Sequence, residues 1–99
     1  AISNFTQWLA VHFSKVGIRC NAIAPGFLVT AQNEKLLFDN DGNPTPRADK
    51  ILRNTPMGRF GESNELVGGV FFLADSTLAS FVNGVVLPID GGFAAYSGV

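Results

Sequence analysis

The feature that most constrains the fold is the apolar run of residues 18–24 (IRCNAIA), which ends abruptly at Pro25-Gly26. A strand with one wet face alternates apolar and polar residues, whereas a strand of a parallel sheet is covered on both faces and is apolar almost throughout. The run therefore predicts a strand of a parallel sheet. The proline and glycine at its end indicate either a plain turn or a backbone that comes close to a ligand.

A second apolar run, residues 85–89 (VVLPI), predicts another short strand, and the proline within it favours a sheet edge or a strand end. Helical periodicity precedes the first run and ends at Gly17, and a second helix is predicted from an N-cap at Ser63 through Ala74. Two apolar strands joined through helices imply a parallel pair with a right-handed crossover. The faces predicted to be buried are Ile2, Phe5, Leu9, Phe13 and Val16 in the first helix, and Leu66, Val70, Phe71 and Leu73 in the second.

Between these elements, residues 31–56 have a different, more polar character. Residues 34–38 and 47–54 predict two short helices, separated by turn formers at 39–44 (DNDGNP). The acidic turn resembles a calcium-binding loop only superficially, because the glycine falls one place early and Lys50 stands where a glutamate ligand is needed. No metal site is predicted.

Composition limits the classes of partner. The chain has 99 residues, of which 46% are hydrophobic and 15% charged, so a single domain with a true core is expected. Seven Lys+Arg against eight Asp+Glu give a net charge of −1, which offers no electrostatic footprint for nucleic acid or an anionic membrane. One cysteine, Cys20, and the lack of any long apolar run predict a reducing, cytoplasmic setting.

Taken alone, these residues offer no general acid, general base or nucleophile. His12 has no partner at metal-ligand spacing, and Cys20 is expected to be a small core residue. Ligands of open parallel sheets bind beyond the carboxyl ends of the strands, which is where Pro25-Gly26 falls. Thr30 fits two roles equally well, as a helix cap or as a ligand contact.

The order of the short motifs is more specific than any one of them. NAIAPG followed by a threonine, then PMGRFGE, FLAD and SFVNGVVLPIDGG, resembles the C-terminal part of a short-chain dehydrogenase/reductase. The segments NFTQWLAVHFSK, TAQNEKLLFDNDG and GFAAYSGV are similar, more narrowly, to the branch of that family that interconverts D-mannonate and D-fructuronate.

The resemblance implies an α/β fold, the C-terminal part of a Rossmann-like, doubly wound parallel sheet, with the last two strands and their helices. Residues 1–99 are then expected to be a fragment of one dehydrogenase domain, with 31–56 as the substrate lid and 93–99 as the C-terminal tail. The phosphate-binding loop and the catalytic serine, tyrosine and lysine would precede Ala1.

The resemblance also assigns a cofactor, NAD or NADP, which the intact protein would bind. Pro25 and Gly26 match the turn that packs against the nicotinamide ring. Leu28 matches the position whose backbone hydrogen-bonds the carboxamide, and Thr30 matches the hydroxyl that contacts the carboxamide or the pyrophosphate. Asn21 matches a structural asparagine.

For the substrate, the resemblance points to a sugar acid held by the lid. Gln32, Asn33 and Arg47 are the polar candidates there, and a guanidinium can bind a carboxylate with two parallel hydrogen bonds. The expected parent protein is an oxidoreductase and a homo-oligomer, and the 99-residue chain alone is expected to be inactive. The alternatives are a gluconate or polyol dehydrogenase, and a non-catalytic module that associates with itself.

Overall fold

The computed structural model describes residues 1–97, and its elements follow the predicted order of helix, strand, short helices, helix and strand. Two 3₁₀ turns, Ser14–Val16 and Ser63–Leu66, follow the first helix and precede the last one. The helices are α1 (Ile2–Phe13), α2 (Glu34–Leu37), α3 (Pro46–Arg53) and α4 (Val67–Ala74), and the strands are β1 (Ala22–Pro25) and β2 (Val86–Ile89).

The two strands form a parallel pair, which confirms the predicted fold class. The N–H of Ala22 donates to the carbonyl of Val85, and the N–H of Gly26 donates to that of Ile89, each over 2.9 Å. Both strands advance in the same direction between these two bonds, as parallel pairing requires. Since backbone groups alternate sides along a strand, the nitrogen of Pro88 faces away from β1, where its missing hydrogen costs no bond to that strand.

The first strand is shorter than predicted, because it begins at Ala22 rather than at residue 18. The backbone N–H of Cys20 donates to the side chain of Asn83, and the carbonyl of Cys20 accepts from the N–H of Gly84. Asn21 accepts from Val85 N–H through its side chain. Residues 20 and 21 are therefore held by the backbone of Gly84 and by the side-chain amides of Asn83 and Asn21. Asn21 thus has the structural role that the resemblance implied.

The described part of the chain forms two compact units, each made of segments distant in sequence. One consists of residues 1–24 and 67–88, and the other of residues 25–66 and 89–97.

In the first unit, α1 buries a different face from the predicted one. The buried residues are Thr6 and Ala10, and Ala10 lies so close to Gly84 that a Cβ there would come within 3.3 Å of the alanine methyl. Small side chains on both sides thus allow the close contact. The predicted stripe is largely exposed, with Ile2 at 75% and Phe5 at 58%.

The prediction for α4 was also wrong about burial. The helix has no buried residue, and Val70 and Phe71 are exposed. Ser63 is the first residue of the preceding 3₁₀ turn, and the Glu65 carboxylate accepts from the N–H of Glu62, as in one half of a capping box. Leu66 and Leu73 are half-buried, so residues 1–97 cover only part of the predicted face.

The second unit is organised around the two short helices. Thr45 caps α3, because its hydroxyl oxygen accepts from the N–H of Ala48. The same hydroxyl group donates to the carbonyl of Leu36 and so links α3 to α2. Leu37 and Ala48 are buried, as is Thr55. The acidic turn is closed by the Asp39 carboxylate, which accepts two backbone N–H groups.

Among residues 1–97, no helix combines the length and the apolar character that crossing a bilayer requires.

Candidate functional site

Gly26 directly follows β1, and its small size is required by the protein's own chain. A Cβ at this position would lie 2.7 Å from both Cα and Cβ of Asp90, which is closer than such atoms approach one another. Asp90 is itself fixed, since its carboxylate accepts from the N–H groups of Gly92 (2.9 Å) and Ala94 (3.0 Å). The glycine after the first strand therefore serves close packing against the turn that follows β2.

Leu28 lies beyond this contact, in an isolated parallel bridge with Gly61. The carbonyl of Phe27 accepts from Gly61 N–H over 3.0 Å, and the N–H of Val29 donates to Gly61 carbonyl over 3.1 Å. Because the N–H and C=O of a trans peptide point in opposite directions, the N–H and C=O of Leu28 both point away from Gly61. Within the described residues, the Leu28 N–H donates to no acceptor.

Asn33 holds the other side of this segment. Its Nδ2 donates to the carbonyl of Leu28, and its Oδ1 accepts from the N–H of Thr30, each over 2.8 Å. The carbonyl of Thr30 accepts from Glu34 N–H at the start of α2, whereas the Thr30 hydroxyl makes no hydrogen bond within residues 1–97. Thr30 thus supports α2 through its backbone and leaves its hydroxyl available.

These residues line a cleft of about 300 Å³ in the second unit. The cleft brings together five of the seven residues predicted for cofactor or substrate, whereas Pro25 and Gln32 are exposed and do not line it. Arg47, at the start of α3, is the one charged side chain of the lining among the described residues. The full lining is Gly26, Phe27, Leu28, Thr30, Asn33, Leu36, Leu37, Arg47 and Ile51.

The apolar part of the lining was missed from the sequence. Phe27 is 41% exposed and meets Phe93 edge to face, with ring centroids 5.3 Å apart. Leu36, Leu37 and Ile51 come from α2 and α3. The sequence does show apolar residues in the two short helices of residues 31–56, but a pattern over so few residues does not show which face of each helix lines the cleft.

An ion pair braces the loop that carries Gly61. Arg59 donates to both carboxylate oxygens of Glu65, over 2.7 Å and 2.9 Å, and to the carbonyl of Phe60. The hydrogen bond from Arg59, and after it that from the Glu62 N–H, lowers the pKa of Glu65 to about 2 from its ordinary value of 4.5.

A model of the enoyl-(acyl carrier protein) reductase type, which is part of the short-chain dehydrogenase/reductase family, matches residues 1–94. The chain belongs to the short-chain dehydrogenase/reductase family. The predicted family is thereby confirmed.

Individual proteins that resemble this chain are named as oxidoreductases or dehydrogenases, in agreement with the family assignment. An uncharacterized oxidoreductase of Haemophilus influenzae is 76% identical over all 99 residues, which are 35% of its length. The gluconate 5-dehydrogenase of Gluconobacter oxydans is 39% identical over 93% of this chain and 34% of its own. A solved structure from Haemophilus influenzae, of a candidate D-mannonate oxidoreductase with bound NAD, superposes with a TM-score of 0.92 over 99% of this chain and 35% of that one, at 76% identity.

The chain thus spans about a third of the length of the curated relatives that it matches.

The contact between Gly26 and Asp90 predicts that Gly26→Ala destabilises this short-chain dehydrogenase/reductase chain by roughly 1–3 kcal/mol, because an added methyl must displace backbone. Gly68→Ala is the matched control. It lies inside α4, a Cβ there would meet no atom within 4 Å, and alanine favours a helix by about 0.5–1 kcal/mol over glycine. Urea unfolding should move the two midpoints in opposite directions, and equal midpoints would contradict the packing argument.

The Arg59–Glu65 pair predicts a pH dependence. Because the Glu65 pKa is lower in the folded state, the pair's stabilisation is complete above about pH 4.5 and is lost as the pH falls toward about 2. Arg59→Gln should raise the Glu65 pKa, measured by NMR titration of its carboxyl carbon, but not fully to 4.5, since the Glu62 N–H still donates. Arg53→Gln breaks the longer, more exposed pair with Asp49 and should leave that pKa unchanged.

Proposed function

We propose that this chain is the C-terminal third of an NAD(P)-dependent short-chain dehydrogenase/reductase acting on a sugar acid, with residues 1–99 as part of one Rossmann-like domain. The observation that carries the proposal is the Leu28 N–H, which has no acceptor within the described residues and belongs to a residue that lines the same cleft as Gly26 and Thr30.

These groups fit the nicotinamide end of such a cofactor. A carboxamide needs a donor for its carbonyl and a partner for its amino group, which the Leu28 N–H and the Thr30 hydroxyl supply. The ring needs a flat apolar neighbour, and Phe27 and the Pro25-Gly26 turn are adjacent in sequence. Bound there, NAD(P) supplies the chemistry of hydride transfer.

The residues of this chain hold and orient rather than react. Gly26, packed against Asp90, fixes where the segment leaves the strand, and Leu28 is fixed by the bridge to Gly61. Such preorganised backbone donors bind without further ordering. No residue of this chain is proposed as a general acid or base. The resemblance places that role on a serine, a tyrosine and a lysine upstream.

For the substrate, we infer a sugar acid bound beneath the lid of residues 31–56, with D-mannonate and D-fructuronate as the pair interconverted. Arg47 supports a carboxylate because it is the charged side chain of the described lining and makes no ion pair within residues 1–97. Gln32 is exposed outside the cleft, and the Asn33 amide is engaged by the backbone. The proposal therefore depends on Arg47 most. A gluconate-type substrate is the alternative that the Gluconobacter relative favours.

The test is turnover by the intact protein with NAD(H) and NADP(H), against D-fructuronate, gluconate and a neutral ketose. We expect Arg47→Ala to raise KM for the acid by about 10- to 100-fold, as loss of hydrogen bonds to a charged group does, and to leave the neutral ketose unaffected. Arg53→Ala, in the same helix but outside the cleft, is the control.

Each outcome of this assay bears on a different part of the proposal. Turnover of gluconate but not D-fructuronate would move the assignment to the alternative substrate. No turnover of any acid would refute the proposed function. The 99-residue chain alone should give none, because it lacks the catalytic groups.

A homo-oligomer is proposed as the working form, and the exposed apolar face of α1 supports it. Phe5, Trp8 and His12 stack along this helix, with Phe5–Trp8 ring centroids 6.3 Å apart and Trp8–His12 centroids 4.7 Å apart, and Trp8 is 57% exposed. An apolar face of this kind is typical of a surface that other protein covers. The same observation is what a purely self-associating module would show, and the turnover assay separates the two.

A further inference from the structure

We propose that Asn33 is a positioning residue for the cofactor, acting through the peptide groups of Leu28 rather than by touching the substrate. The inference rests on the proposed function, since it concerns how the same cleft receives the nicotinamide carboxamide. Sequence resemblance had placed Asn33 among the substrate contacts, and its hydrogen bonds point to this other role.

The geometry shows what Asn33 controls. Three consecutive peptide groups run from Phe27 to Thr30, and each is fixed by a hydrogen bond. In the first peptide group, the Phe27 carbonyl accepts from the Gly61 N–H. In the second, the Val29 N–H donates to the Gly61 carbonyl. Asn33 holds the second through the Leu28 carbonyl and is alone in holding the third, through the Thr30 N–H.

The orientation of the Leu28 N–H follows from these bonds. The Phe27 carbonyl and the Val29 N–H both hydrogen-bond to Gly61. Since each peptide group is trans, the N–H and the carbonyl of Leu28 point the opposite way, toward the side on which Asn33 lies. The Asn33 side chain donates to the Leu28 carbonyl, and the Leu28 N–H remains free to donate to a ligand. Without Asn33, the second peptide would keep only its Gly61 bond, and the Thr30 N–H would lose its partner.

Asparagine suits this position because its amide offers a donor and an acceptor at once. Aspartate could still accept from the Thr30 N–H but would present an oxygen to the Leu28 carbonyl. Aspartate would also favour α2, which begins at the next residue, because a negative charge stabilises a helix N-terminus. The Asn33→Asp change therefore separates a positioning role from a helix-capping role.

The experiment measures calorimetric affinities of the intact protein for NAD(H) or NADP(H) and for ADP-ribose or its 2′-phosphate, which lack the nicotinamide. Asn33→Ala and Asn33→Asp should each weaken binding of the dinucleotide by about tenfold, equivalent to one lost hydrogen bond. Both should leave binding of the ADP-ribose compound unchanged. Asn40→Asp is the matched control, because Asn40 is exposed and makes no side-chain hydrogen bond within residues 1–97.

A second readout needs no cofactor. In the unliganded protein, amide hydrogen exchange at Thr30 should quicken in Asn33→Ala and stay slow in Asn33→Asp, which keeps the acceptor. Unchanged dinucleotide affinity in both variants would overturn the positioning role while leaving the proposed function intact. An equal loss for the dinucleotide and the ADP-ribose compound would also overturn it, because a general disturbance or the added charge would explain both. If the unaltered protein binds neither dinucleotide, the proposed function fails first and this role falls with it.

Discussion

The close contact of Gly26 with Asp90 is the constraint on which the arrangement of the candidate site depends. Because Gly26, directly after β1, has no Cβ, the Cα and Cβ of Asp90 can lie 2.7 Å from the position where a Cβ would be. The Asp90 carboxylate, which accepts two N–H groups from its own turn, keeps the opposing surface rigid. The direction in which the chain leaves β1 is therefore fixed. This direction sets the positions of Phe27, Leu28 and Thr30, which follow Gly26 and line the cleft.

Most of the fold was predictable from local patterns. The strand at 85–89 and the two short helices at 34–38 and 47–54 were predicted within one residue of their observed ends, because turn formers such as those at 39–44 mark these ends in the sequence. The start of the first strand was not. Residues 18–21 were predicted as strand because Ile18 and Cys20 continue the apolar run, yet the side chain of Asn83, more than sixty residues away, accepts a hydrogen bond from the Cys20 N–H. A long-range hydrogen bond of this kind leaves no trace in the local pattern.

Burial was the least predictable property, and the reason is physical. Periodicity shows which side chains are apolar but not which face finds a neighbour. In α1 the buried side chains are Thr6 and Ala10, and Ala10 is small enough for Gly84 to approach closely, whereas larger side chains such as Ile2 and Phe5 are exposed. This chain spans about a third of its relatives' length. The apolar face of a helix in such a chain can therefore pack against protein that residues 1–97 do not include.

The candidate site was only partly predictable, because its central group is a backbone N–H. A main-chain donor has no residue type, so the sequence could name Leu28 only through family resemblance. What the sequence does contain is the set of side chains that orient this donor from two sides. Arg59 and Glu65 brace the loop of Gly61, and Asn33 holds the opposite face. In the proposed function, Asn33 and Gly61 act without touching the ligand, because their hydrogen bonds fix the peptide groups around the Leu28 N–H and leave that donor free.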